Sequence, residues 1–142
     1  MSADGKILVH ASCVAIREVG VLIRGPSGSG KSDLALRLIY DGADLVADDQ
    51  VVLSGEAGSL LASAPDVLRG KIEIRGVGIF DMSYKQSASI QLVIDLVPRD
   101  DVARLPEPAC CDLTGQSLPL HRLHAFDASC PAKVRFLAGR LA

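Results

Sequence analysis

Apolar and polar positions alternate along this chain in short blocks, separated every few residues by turn formers. Residues 7–9 and 13–17 read as strands on either side of His10-Ala11-Ser12. Glu18 marks a turn, and the β-branched run Val19-Gly20-Val21-Leu22-Ile23 reads as a central strand. The period then changes. Residues 33–40 (D-L-A-L-R-L-I-Y) place apolar side chains at helical spacing, and Asp41-Gly42 closes that helix. Residues 45–47 form a short strand running into Asp48-Asp49, and 51–53 form another before the turn Gly55-Glu56-Ala57-Gly58. Residues 60–64 and 72–74 are further strands, whereas Gly76-Val77-Gly78-Ile79 is too glycine-rich for an ordinary one. Residues 89–97 read as a long buried strand ended by Pro98, and a polar stretch follows to Pro108. Residues 118–123 are strand-like. A final helix of about ten residues starts near Pro131 with Ser129 as its N-cap, and packs Val134, Leu137, Ala138 and Leu141 on the sheet. Strand outweighs helix, so the expected class is α/β: a mixed β-sheet with few flanking helices, folded as one domain over residues 1–142.

Composition narrows the function classes. The hydrophobic residues are 49% of the chain but dispersed, and no run approaches the roughly 18 to 20 needed to cross a bilayer. The start, M-S-A-D-G-K-I-L-V-H, lacks the basic and then apolar pattern of a secretory signal, so a soluble cytoplasmic protein with no membrane partner is expected. A net charge of −2 with basic residues scattered singly argues against a nucleic-acid partner. Cys13, Cys110, Cys111 and Cys130 show no paired C-x-x-C spacing and read as small buried apolar groups. A zinc set of Cys110, Cys111, His121 and His124 is disfavoured because adjacent cysteines suit a tetrahedral site poorly.

The chemistry begins at Gly25-Pro26-Ser27-Gly28-Ser29-Gly30-Lys31-Ser32, a full match to G-x-x-x-x-G-K-[ST] placed between a strand and a helix. Its glycines permit turns that aim backbone N–H groups at phosphate oxygens. Lys31 adds a positive charge, Ser32 offers a hydroxyl to Mg²⁺, and the helix presents its N-terminus. The competing reading is a chance glycine-rich turn. Asp48-Asp49, at the end of an apolar strand after the loop helix, stands where such proteins hold Mg²⁺ directly or through water. A second carboxylate there could orient or deprotonate an attacking hydroxyl. The bland alternative is a solvated turn.

Together His10, the loop 25–32, Leu45-Val46-Ala47-Asp48-Asp49 and Ile72-Glu73-Ile74-Arg75-Gly76-Val77-Gly78-Ile79 resemble the HPr kinase/phosphorylase family over residues 10 to 81, with a weaker match onward through Arg104. The resemblance implies a P-loop catalytic fold related to phosphoenolpyruvate carboxykinase. It implies an ATP- and Mg²⁺-dependent kinase acting on a serine of HPr, the phosphocarrier protein of the bacterial phosphotransferase system. By position, Asp49 corresponds to the proton acceptor, Lys31 to the phosphate-binding lysine, His10 to the motif histidine and Arg104 to a later catalytic arginine. Ser32 and Glu73 correspond to the magnesium pair, assisted by Asp48, and Arg75 lies where a guanidinium could meet phosphate or hold Glu73. The match begins shortly before His10 and so resembles shortened members consisting of the catalytic domain. Longer members form homo-oligomers, commonly hexamers. They also carry a Pro/Arg/Gly-rich loop linked to phosphorolysis where this chain has Pro131-Ala132-Lys133-Val134-Arg135. Two other readings stay open: a nucleotide-sensing module without phosphoryl transfer, and a small-molecule P-loop kinase, which would need a longer lid and separate acceptor-binding helices that the sequence between Pro98 and Pro131 does not show.

Overall fold

A computed structural model describes residues 5–141. In chain order its elements are β1 (Lys6–His10), β2 (Ser12–Ile16), β3 (Val19–Arg24), α1 (Lys31–Tyr40), β4 (Asp44–Ala47), β5 (Gln50–Glu56) and β6 (Ser59–Ser63). They continue with β7 (Lys71–Ile74), β8 (Gly78–Asp81), β9 (Ala88–Leu96), β10 (Ala109–Leu113), β11 (Gln116–Leu123) and α2 (Cys130–Gly139). It is the mixed α/β fold with two helices that the pattern predicts, and its sheet is curled.

The sheet runs β1-β5-β6-β9-β3-β2-β4, with β10 and β11 joining at β9. One edge of β9 is shared along its length: β6 pairs antiparallel at Ala88 and Ser89, and β11 pairs parallel from Val93 to Leu96. The other edge pairs parallel with β3. This divided edge curls the sheet around one apolar cluster that includes Cys13, Leu22, Val51, Leu53, Leu60 and Val93. A second cluster lies between the opposite face and the helices, joining Val21, Ile23, Leu92 and Ile94 to Leu34, Leu38 and Val134. Alternation along β3 assigns Leu22 to one cluster and Val21 and Ile23 to the other. In β9 a bulge opposite Gly20–Val21 shifts the parity, so Ile90 and Leu92 face opposite sides. Leu34 and Leu38 of α1 are fully buried, each contributing roughly 1.5–3 kcal/mol.

Several local expectations are corrected. Gly78 and Ile79 do lie in a strand: β7 and β8 form an antiparallel hairpin that turns at Gly76, whose φ is 82°. The turn after β5 is tighter than expected. β5 reaches Glu56, and Ala57-Gly58 alone connects it to Ser59, with φ of 39° and 86°. Strand β10 lies just beyond the polar stretch and was not expected. Ser129 occupies the N-cap position of α2 in a helical conformation without a side-chain capping bond. Val134 and Ala138 are buried as expected, while Leu141 keeps 39% of its surface exposed.

The cysteines also divide. Cys13 and Cys130 are buried, Cys111 is half-buried and Cys110 is exposed, all as free thiols. Burial pushes the Cys13 thiol up to about 12, so it stays protonated and unreactive. An alkylating reagent at mildly alkaline pH should therefore label Cys110 in the native protein and reach Cys13 only after unfolding, which peptide mass mapping will read directly. Among the described residues no three His, Cys, Asp or Glu side chains gather into a set that could hold a metal ion, and no helix is long and apolar enough to cross a membrane.

Candidate active site

The loop 25–32 leaves the C-terminal end of β3 and leads straight into α1. Its departure point is pinned by Arg24, whose Nε and Nη2 donate to the two carboxylate oxygens of Asp95 on β9 at 2.7 and 3.0 Å. Within the loop the Ser29 N–H donates to the Pro26 carbonyl at 3.0 Å. Gly28 and Gly30 have φ of 82° and 100°, the left-handed region that admits glycine without strain. Helix α1 starts at Lys31, two residues earlier than the apolar periodicity indicates, so Lys31 and Ser32 sit in its first turn. The first N–H groups of a helix lack intrahelical partners and, with the helix dipole, favour an anion at that end. Lys31 Nζ donates to the carbonyls of Gly25 at 2.6 Å and Pro26 at 3.1 Å, which leaves one of its three donors for a ligand.

Behind this loop lies a polar hub. Among the described residues Ser12 and Asp48 are the two buried polar side chains, and they bond each other, Ser12 Oγ donating to Asp48 Oδ1 at 2.7 Å. Ser32 Oγ donates to the same oxygen at 2.7 Å, and the Glu73 N–H donates to Oδ2 at 3.1 Å. One carboxylate thus ties β2, α1 and β7 to the end of β4. Sequence reasoning missed Ser12, although a lone hydroxyl in the otherwise apolar strand S-C-V-A-I is a readable signal.

Asp49 turns the other way. Its φ is 72°, a left-handed conformation that aspartate tolerates better than most residues, and its carbonyl accepts the Ala11 N–H at 3.3 Å. The adjacent carboxylates therefore separate, Asp48 inward and Asp49 outward, with the Asp49 side chain 68% exposed and its Oδ1 4.0 Å from His10 Nδ1. His10 itself is 80% exposed at the end of β1. Asp49 faces a cleft of about 230 Å³ whose walls include Ser27, Lys31, Ser32, Glu73 and Arg75. The structure thus gathers the loop, Ser32, Asp48, Asp49 and Glu73 at one place, with Arg75 beside them and His10 at the margin. Arg104 is not gathered there. It lies exposed beyond the 3₁₀ turn Arg99–Asp101, and the arginine the cleft contains is Arg75.

Residues 3–108 match the HPr Serine kinase C-terminal domain family. The chain belongs to that family. A curated relative from Caldanaerobacter subterraneus subsp. tengcongensis, named HPr kinase/phosphorylase, is 44% identical over 105 residues, covering 68% of this chain and 34% of the relative. One of the same name from Chlorobaculum tepidum is 36% identical over 130 residues, covering 82% of this chain and 38% of its own length. The chain therefore spans about a third of the curated relatives it matches. Among solved structures the HPr(Ser) kinase/phosphatase from Coxiella burnetii superposes with a TM-score of 0.83 at 30% identity, covering 95% of this chain and 90% of that one. Membership supplies the frame in which the carboxylates and the loop acquire roles.

Proposed function

We propose that this chain is a protein-serine kinase that transfers the γ-phosphoryl group of ATP to a serine of HPr. The observation that carries the reading is the placement of Asp49 at the cleft beside the loop 25–32, next in the chain to the buried Asp48 that fixes Ser32. Phosphoryl transfer needs charge neutralisation and positioning more than covalent chemistry by the protein. The loop amides, the α1 N-terminus and Lys31 bind the phosphates, as in P-loop folds related to phosphoenolpyruvate carboxykinase. Asp49 receives the serine proton as the new bond forms, and His10 at 4.0 Å borders that carboxylate. Arg75 meets phosphate oxygens at the cleft wall.

The residues fit a Mg²⁺ ion held partly by the nucleotide. Ser32 spends its hydroxyl proton on Asp48 and keeps its oxygen lone pairs, and Glu73 faces the cleft with an exposed carboxylate, a donor set of the kind magnesium shares with phosphates. Asp48 already accepts three hydrogen bonds, so it acts on the ion through Ser32 or water. When bound, the ion neutralises charge on the phosphate oxygens. Arg75, the arginine that lines the cleft, takes the part expected of Arg104, and the hairpin β7–β8 and α2 are candidate contacts for HPr. A cytoplasmic setting and assembly into a homo-oligomer belong to the same reading, as does a single catalytic domain over residues 1–142. Between Pro98 and Pro131 the chain forms a 3₁₀ turn and two strands rather than acceptor-binding helices, which favours a protein substrate over a small one.

Incubation with HPr, ATP and Mg²⁺ should add one phosphate to an HPr serine, read by intact mass and site mapping. ATP binding without transfer would replace the kinase by a nucleotide-sensing module, and transfer to no protein but to a small alcohol would replace its substrate.

A further inference from the structure

The cleft has a wall that this chemistry does not use. Phe126 lines it while remaining 54% exposed. A single exposed phenylalanine needs no explanation by itself; the way this one is held does. Arg37 of α1 donates through Nη1 to the Ala125 carbonyl and through Nη2 to the Asp127 carbonyl at 3.0 Å, gripping the backbone on both sides of Phe126. Arg99 Nε donates to Asp127 Oδ1 at 2.8 Å, which holds that carboxyl below its usual range. His124 is anchored 3.0 Å from the Val97 carbonyl and meets the Phe126 ring edge-on, with centroids 5.8 Å apart. The ring rests against the loop as well: a Cβ built on Gly30 would stand 2.7 Å from Ala125 Cβ and 2.9 Å from Phe126 Cζ.

Its direction matters. Ser32 and Arg37 are five residues apart on α1, about 140° around the helix axis. The Ser32 flank carries Asp48 and Glu73, and the Arg37 flank carries Phe126. A nucleoside triphosphate lying in the loop with its terminal phosphate toward Asp49 must send its base away from those carboxylates. Phe126 also follows the C-terminal end of β11, which runs parallel with β9 and β3, the edge at which open α/β sheets bind ligands.

We propose that Phe126 is the stacking platform for the base of the nucleoside triphosphate whose phosphates the loop 25–32 holds. The inference rests on the nucleotide reading above and adds where the base lies. A ring fixed beforehand by Arg37 and His124 loses little freedom on binding. Because every base offers a π face, the platform contributes affinity without selecting among bases.

The test uses Mg²⁺ with ATP, GTP or inorganic tripolyphosphate on the parent chain, Phe126→Ala and Phe126→Trp. Phe126→Ala should weaken ATP and GTP roughly tenfold to a hundredfold and leave tripolyphosphate unchanged. The parent has no tryptophan, so the fluorescence of Phe126→Trp reports from this position alone and should change with ATP and not with tripolyphosphate. Equal weakening of ATP and tripolyphosphate would make the ring a prop for Gly30 and overturn the proposal, as would unchanged ATP affinity. A parent chain that binds neither ligand overturns the phosphate-loop reading and the platform with it, whereas a parent that binds both isolates the platform.

Discussion

Replacing Asp49 by asparagine is expected to slow phosphoryl transfer to HPr by about 10²- to 10⁴-fold while leaving ATP affinity within about twofold. The substitution is unusually clean for structural reasons. Asn accepts the left-handed backbone that position 49 requires, the side chain is largely exposed, and the backbone bond from Ala11 to the Asp49 carbonyl does not involve the carboxylate. Stability should therefore change by less than about 0.5 kcal/mol. The amide can still accept a hydrogen bond from the serine hydroxyl but cannot take its proton. Single-turnover transfer rates and ATP titrations, read side by side, separate the two effects. Transfer at the parental rate would remove Asp49 from the role of base. Alanine at the same place would be a poorer probe, because strain at a positive φ would confound the rate.

Replacing Asp48 by alanine should instead unfold the protein more easily, by roughly 2–4 kcal/mol, a large part of the 5–15 kcal/mol that domains of this kind possess. The cost arises from the partners left behind. Ser12 Oγ is fully buried and loses its acceptor, and the Glu73 N–H and Ser32 Oγ lose theirs in a half-buried setting that water can partly repair. Urea titration measures the loss. Adding Ser12→Ala to Asp48→Ala should recover part of it by removing the orphaned hydroxyl, a non-additivity that two independent sites would not show. A loss under about 1 kcal/mol would mean that the hub does not hold these elements together.

The sheet and the loop were legible in the sequence because physical demands there leave local marks. β9 alternates and then clusters its apolar residues at Leu92-Val93-Ile94, and the glycines at 28 and 30 mark backbone that other residues rarely adopt. β8 and β10 leave weaker marks. All four residues of β8 are exposed, so backbone pairing with β7 forms the strand and no burial pattern announces it. β10 pairs on one side with β11 and alternates through Ala-Cys-Cys-Asp-Leu, residues with little strand preference, just past two prolines. At the site, Asp48 and Asp49 were readable as a pair, but which one turns inward depends on a single backbone angle that no spacing encodes. Phe126 was invisible for another reason. It reaches the loop only because β11 docks beside β9, and Arg37 then fastens the following segment to α1.

The position of β9 also governs the order in which the molecule can be made. Its edges receive β3 on one side and β6 and β11 on the other, so it is the seam on which both apolar clusters close. Yet it is synthesised after six of the strands it helps to unite, counted along β1 to β6. Until residue 96 has emerged, β3 and β6 have no common neighbour, and hairpins such as β2–β3 and β5–β6 must wait with one apolar face uncovered. Pairings this distant along the chain pay their loop-closure entropy before any burial repays it, a topology that folds more slowly than a sheet of local hairpins. The loop 25–32, fixed at its root by Arg24 on Asp95, thus acquires its shape only when the middle of the sheet falls into place.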